Sequence, residues 1–125
     1  MMQSVSPNIY VKDLPQTIAF YEQLGFGVVA RFPEEGDAVF AMMINGTVTF
    51  LFQTFESLGS ELPEVKRTDG GSIMLYIQMK KIRKFHETIK DKVTVLKGLE
   101  VSFYGATEFS ILDNNGYVLT FAEDE

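Results

Sequence analysis

Apolar and polar positions alternate with a period of two in several short runs, and two stretches between them switch to a spacing of three and four. From Val5 to Val11 the pattern is extended, with Pro7, Ile9 and Val11 on one face and Ser6, Asn8 and Tyr10 on the other. Asp13 reads as a helix N-cap, with Pro15 in the first turn and Gln16 at capping-box spacing. Leu14, Ile18, Tyr21 and Leu24 then mark one helical face, which Gly25 closes. Strands are predicted at 26–32, 38–44 and 47–52, the last two joined at Asn45-Gly46, a dipeptide suited to the positive φ of a tight hairpin turn. The pattern restarts at Ser72: an extended run over 72–78, a helix from about Lys80 to Lys90 on Ile82, Phe85 and Ile89, a short edge segment at 94–96 and a strand at 99–103. A second hairpin over Tyr104–Glu123 turns at Asp113-Asn114-Asn115-Gly116.

The two halves echo one another. Asn8-Ile9-Tyr10-Val11 lies on Met74-Leu75-Tyr76-Ile77 at a shift of sixty-six, and Asn45-Gly46 lies on Asn115-Gly116 at a shift of seventy. The prediction is an α+β chain of two βαβββ modules in one domain over 1–125. Module 1 covers about 1–53 and module 2 about 72–125, with a polar linker over 54–71 that ends in Gly70-Gly71.

Composition narrows the function classes. Apolar residues make up 46% and charged residues 22%, and the eleven Phe, five Tyr and six Met suit a core or cavity with aromatic and thioether walls. The absence of cysteine excludes disulfides, zinc thiolates and thiol catalysis, and fits a reducing cytoplasm. A net charge of −6 argues against nucleic acid as a partner. Neither a membrane-span pattern nor a signal-peptide pattern is found, so no membrane partner is expected.

Val11-Lys12-Asp13-Leu14, Ala19-Phe20-Tyr21 and Leu24-Gly25-Phe26 come close to the run V-x-D-(x)n-F-Y-x-x-L-G-F. Tyr104-Gly105, Glu108-Phe109, Asp113 and Gly116 come close to W-G-x-R-E-F-x-x-x-D-P-D-G, with Thr107 in place of the arginine and Asn114 in place of the proline. Together these motifs resemble the vicinal oxygen chelate superfamily: glyoxalase I, extradiol dioxygenases, fosfomycin-resistance enzymes and bleomycin-resistance proteins. The resemblance implies a glyoxalase/bleomycin-resistance-like open barrel and a homodimer. In the family's enzymes a divalent metal is held by inward side chains from the first and last strand of each module. By the echo those positions are Ser6, Phe50, Ser72 and Thr120 here. Hydroxyls are weak ligands and a phenyl ring is none, so neither metal nor other cofactor is expected and no catalytic residue is assigned. A register error of one residue would bring Asn8 or Gln53 nearer the site without supplying a His/Glu set.

Alternation places Asn8, Tyr10, Phe50, Phe52, Met74, Tyr76 and Thr120 inward, joined by Glu108 from a neighbouring strand; these form the expected ligand-binding set, with Phe40 and Met42 nearby. Glu123 falls on the other face, and the lone His86 reads as a surface or helix-packing residue. The function this favours is sequestration of a planar, aromatic or cationic small molecule in the groove of a cytoplasmic homodimer. The alternative is a metal-dependent glyoxalase- or dioxygenase-like enzyme with atypical ligands such as Asn8, Gln53, Glu108 or Glu123. A scaffold with a filled interior is a third reading.

Overall fold

The structure, a computed structural model, describes residues 1–124. The chain divides into two compact units, Met1–Thr68 and Asp69–Glu125, each built on one open four-stranded sheet.

The first unit runs β1 (Asn8–Val11), α1 (Leu14–Gln23), β2 (Gly27–Phe32), β3 (Phe40–Asn45), β4 (Val48–Thr54) and α2 (Phe55–Leu58). Its strand order is β1-β4-β3-β2, with β1 parallel to β4 and the other pairs antiparallel. Helix α1 starts where the sequence marks it: the Asp13 carboxylate accepts the Gln16 backbone N–H at 3.1 Å. Its inner face buries Leu14, Thr17 and Tyr21 against the sheet. Tyr21 is the hub of that core, with its ring centroid 4.7 Å from Phe52, 5.5 Å from Phe50 and 5.6 Å from Phe26, while Phe26 and Phe50 stack at 5.2 Å. Such edge-on and offset contacts suit the ring quadrupoles.

The polar segment read as a linker begins with helix α2, capped by the Thr54 hydroxyl on Ser57 N–H at 3.1 Å. The Arg67 guanidinium then donates to the carbonyls of Leu62 at 2.7 Å and Gly59 at 3.0 Å, and also to those of Glu61 and Val65. Five donors in a fixed fork suit one arginine to gathering a loop in this way. The period-based reading missed both features, because four residues are too few to show a helical period and the arginine's partners are backbone atoms.

The second unit runs β5 (Met74–Gln78), α3 (Ile82–Ile89), β6 (Thr94–Val101), β7 (Ala106–Leu112) and β8 (Val118–Asp124), in the order β5-β8-β7-β6 with β5 parallel to β8. Phe109 and Phe121 are buried in its core, and the half-buried Phe85 and His86 of α3 pack against them, the His86 ring meeting Phe109 edge-on at 4.9 Å. The anticipated break at Gly98 is instead a pair of register irregularities inside a continuous β6. At the turn from β7 to β8, Asp113 accepts the backbone N–H groups of Asn115 at 2.9 Å and Tyr117 at 2.8 Å. Gly70, at φ +73°, lies against this turn so closely that a Cβ would sit 2.9 Å from the Gly116 carbonyl oxygen, so this close approach requires a glycine at the end of the segment read as a linker.

Helix α3 lacks a local cap, and Lys81 enters it in the left-handed conformation. The cap comes from β8: Glu123 accepts the Ile82 N–H at 3.0 Å. Backbone donors at Ile82 and then Lys81 hold the Glu123 carboxyl below its ordinary value of 4.5. A depressed folded-state pKa gives stability that is present above the unfolded value and lost as pH falls through the folded one. Acid titration of folding stability should therefore show a steeper loss below about pH 4.5 for the natural protein than for Glu123→Gln. Parallel curves would remove Glu123 from the capping role.

Candidate functional site

In each unit the helix covers one sheet face, and the residues on the opposite face are the candidate site. On the first sheet that face carries Asn8, Tyr10, Leu51, Gln53, Phe40 and Met42, placed side by side by the pairs Asn8–Leu51, Tyr10–Gln53, Gln53–Phe40 and Leu51–Met42. Asn8 donates to the Gln53 side-chain oxygen at 3.4 Å. Apart from that amide pair and the Tyr10 hydroxyl the lining is apolar and only partly covered.

Phe50 and Phe52 are not on this face. They are 3% and 0% exposed, packed under α1 against Tyr21. The reason is a difference between the two hairpins. In the first unit Asn45 pairs with Val48 across a two-residue turn, whereas in the second Leu112 pairs with Val118 across the five residues 113–117. Tyr10 therefore neighbours Gln53 as Tyr76 neighbours Thr120, a correspondence of sixty-seven residues rather than the seventy of the Asn-Gly echo. An offset of three is odd, and an odd offset exchanges the faces of a strand. Gln53, not Phe50, is the counterpart of Thr120.

On the second sheet the face carries Met74, Tyr76, Thr120, Ser110 and Glu108. Thr120 is 4% exposed, and its hydroxyl is shared with the Ser110 hydroxyl at 2.8 Å and the Met74 sulfur at 2.9 Å. Strand β8 lies between β5 and β7, with Tyr76 beside Thr120 on one side and Glu108 beside Ala122 on the other. Across the small Ala122 the Tyr76 hydroxyl reaches Glu108 Oε2 at 2.6 Å. Tyr104 donates to the same oxygen. Its loop is closed by Ser102 N–H on the Ala106 carbonyl at 2.7 Å and Gly105 N–H on the Ser102 carbonyl at 3.0 Å. Hydrogen bonds from Tyr104 and Tyr76 hold the Glu108 carboxyl below its ordinary range, and the Tyr76 phenol is correspondingly held well above its own. The result is a carboxylate kept ionised by neutral donors.

Tyr104 was not among the expected ligand-binding residues, although it stands at the tryptophan of the W-G motif; that substitution was the available signal. Ser6 and Ser72 precede β1 and β5 rather than lying in them. Among the described residues no three His, Cys, Asp or Glu side chains gather as a metal-ligand group. A separate cleft of about 420 Å³ opens in the first unit beside the start of α1, lined by Lys12, Asp13, Pro15, Asp37, Thr54 and Glu56. None of the expected ligand-binding residues reaches it. No helix among the described residues is long and apolar enough to cross a membrane.

Solved structures share this fold. A protein of unknown function from Agrobacterium tumefaciens str. C58 superposes with a TM-score of 0.81 at 21% identity, covering 100% of this chain and 96% of that one. A bleomycin-binding protein complexed with bleomycin gives 0.67 at 22% identity, covering 99% and 100%. A bleomycin resistance determinant encoded on the transposon Tn5 gives 0.68 at 23%, covering 99% of each chain. Identities this low establish the fold alone. Comparison with curated protein sequences returns no match. The family model for the Glyoxalase/Bleomycin resistance protein/Dioxygenase superfamily matches residues 3–121, and with two βαβββ units in the expected order the chain belongs to that superfamily.

Proposed function

We propose that the protein sequesters a planar aromatic or cationic small molecule without a metal or other cofactor, as a cytoplasmic homodimer. The observation that carries this reading is the donor chemistry at matching strand positions. Beside Tyr10 stands the amide of Gln53, and beside Tyr76 stands Thr120, whose hydroxyl is already engaged by Ser110 and Met74. Neutral amides and hydroxyls are poor holders of a catalytic divalent ion, which favours carboxylate or imidazole. The partly covered apolar side chains and few polar groups around Tyr10 and Gln53 are the mixture that small-molecule sites commonly carry, which supports the reading. The proposed ligand contacts are Asn8 and Tyr10 on the first sheet and Met74, Tyr76, Glu108 and Thr120 on the second, with Phe50 and Phe52 assigned to the core. Two proteins of this fold are a bleomycin-binding protein and a bleomycin resistance determinant, which makes bleomycin-like molecules the first ligands to try.

Native mass spectrometry of freshly purified protein tests the proposal in one measurement. The expected result is a dimer mass without stoichiometric metal and with a retained or added organic ligand. Stoichiometric Ni, Zn, Fe or Mn would overturn it in favour of a metal-dependent glyoxalase- or dioxygenase-like enzyme.

A further inference from the structure

We infer that Glu108 is the anchor for a cationic group carrying its own N–H donors, with the phenol rings of Tyr76 and Tyr104 as its flanking walls. The inference rests on the small-molecule reading above and commits it to one chemical class and one set of side chains.

Three features of the second sheet carry it. Glu108 lies on an inner strand of the face away from α3, and both phenol hydroxyls converge on its Oε2, so Oε1 takes neither. Its partners are neutral. Two phenols hold the carboxylate in place and ionised without cancelling its charge, unlike the surface carboxylates Glu87 and Glu100, which pair with Lys90 at 3.1 Å and Lys97 at 2.8 Å. Lys97, the cation whose field reaches Glu108, is thereby already committed to Glu100. Finally, the rings are open to solvent, Tyr76 being 43% and Tyr104 56% exposed, so an incoming molecule can reach both ring and carboxylate. An oriented carboxylate with an open oxygen favours a charged N–H donor, and an adjacent ring face adds attraction for the same cation. A neutral planar ligand would use the rings alone.

A matched pair of planar probes separates these cases. The ring system of 9-aminoacridine is protonated at neutral pH and presents N–H donors, whereas acridine is uncharged there. Binding of each to the full-length protein is followed by fluorescence titration. The charged probe should bind on the order of ten-fold more tightly than the neutral one, the worth of one charge-assisted hydrogen bond. Glu108→Gln should remove that difference while leaving acridine affinity unchanged, and added salt should weaken only the charged probe. Tyr104→Leu should weaken both probes together, because the ring is lost and the carboxylate is kept. Should Glu108→Gln unfold the protein, the salt dependence and the charged-to-neutral ratio in the natural protein decide alone. Equal affinities for the two probes, or a preference that survives Glu108→Gln, would overturn the inference and leave small-molecule binding standing. Failure of both probes to bind would also overturn it, whereas the functional proposal is decided separately by the metal and ligand content of the purified protein.

Discussion

Truncating Phe52 to alanine is expected to cost about 3–5 kcal/mol of folding stability, the range for removing a buried aromatic side chain. Phe52 is fully buried in the first unit, with its ring 4.7 Å from Tyr21 and 6.0 Å from Phe50. Deleting it removes its transfer free energy and leaves a cavity lined by rings that α1 and β4 hold in place, so collapse is limited. For a domain whose net stability is on the order of 5–15 kcal/mol, that is a large share. Urea denaturation should show a much lower midpoint with an unchanged slope, and Phe52→Leu should recover most of the loss. A loss below about 1 kcal/mol, the scale of well-tolerated core swaps, would instead place Phe52 on an open, ligand-facing surface.

The second large effect is expected at Asp113. Asp113→Ala should destabilise by about 2–4 kcal/mol, since it strands two backbone donors that one carboxylate oxygen now accepts. Those donors are Asn115 N–H at 2.9 Å and Tyr117 N–H at 2.8 Å, in a turn where Asp113 and Asn115 are 4% and 5% exposed. Asp113→Asn should cost less, about 1–2 kcal/mol, because its oxygen still accepts while the charge is lost. Thermal denaturation ranks the two variants. Amide exchange at Tyr117 locates the effect, and it should accelerate in Asp113→Ala more than exchange in β5 does. Equal stability of both variants would mean that chain geometry alone holds the turn.

These two residues also separate what local sequence conveys from what it does not. Asp113 was legible because its partners lie two and four residues away, within reach of a motif. The same holds for Asp13, whose cap on Gln16 is three residues long and gave α1 its correct start. Phe52 was misplaced because its face depends on the length of a turn. Asn45-Gly46 and Asn115-Gly116 look alike in sequence, yet Asn45 ends a strand at a two-residue turn while Asn115-Gly116 lies inside a five-residue one, and hydrogen-bond register with β1 and β5 decides which side chains point where. Helix α3 shows the same limit, since its cap comes from Glu123, forty-one residues from Ile82.

By itself the sequence determined the class of fold, the βαβββ order repeated in each half, and a chain with no cysteine and a single histidine. Those depend on period, on short motifs and on composition, all of which are properties of neighbouring residues. Only the tertiary structure decided that Gln53 rather than Phe50 stands beside Tyr10, and that Tyr76, Tyr104 and Glu108 meet. Tyr76 and Glu108 come together because β8 inserts between β5 and β7 and presents the small Ala122 beneath them. That adjacency joins residues thirty-two apart through a strand that follows both in the chain, and no pattern read along the chain contains it.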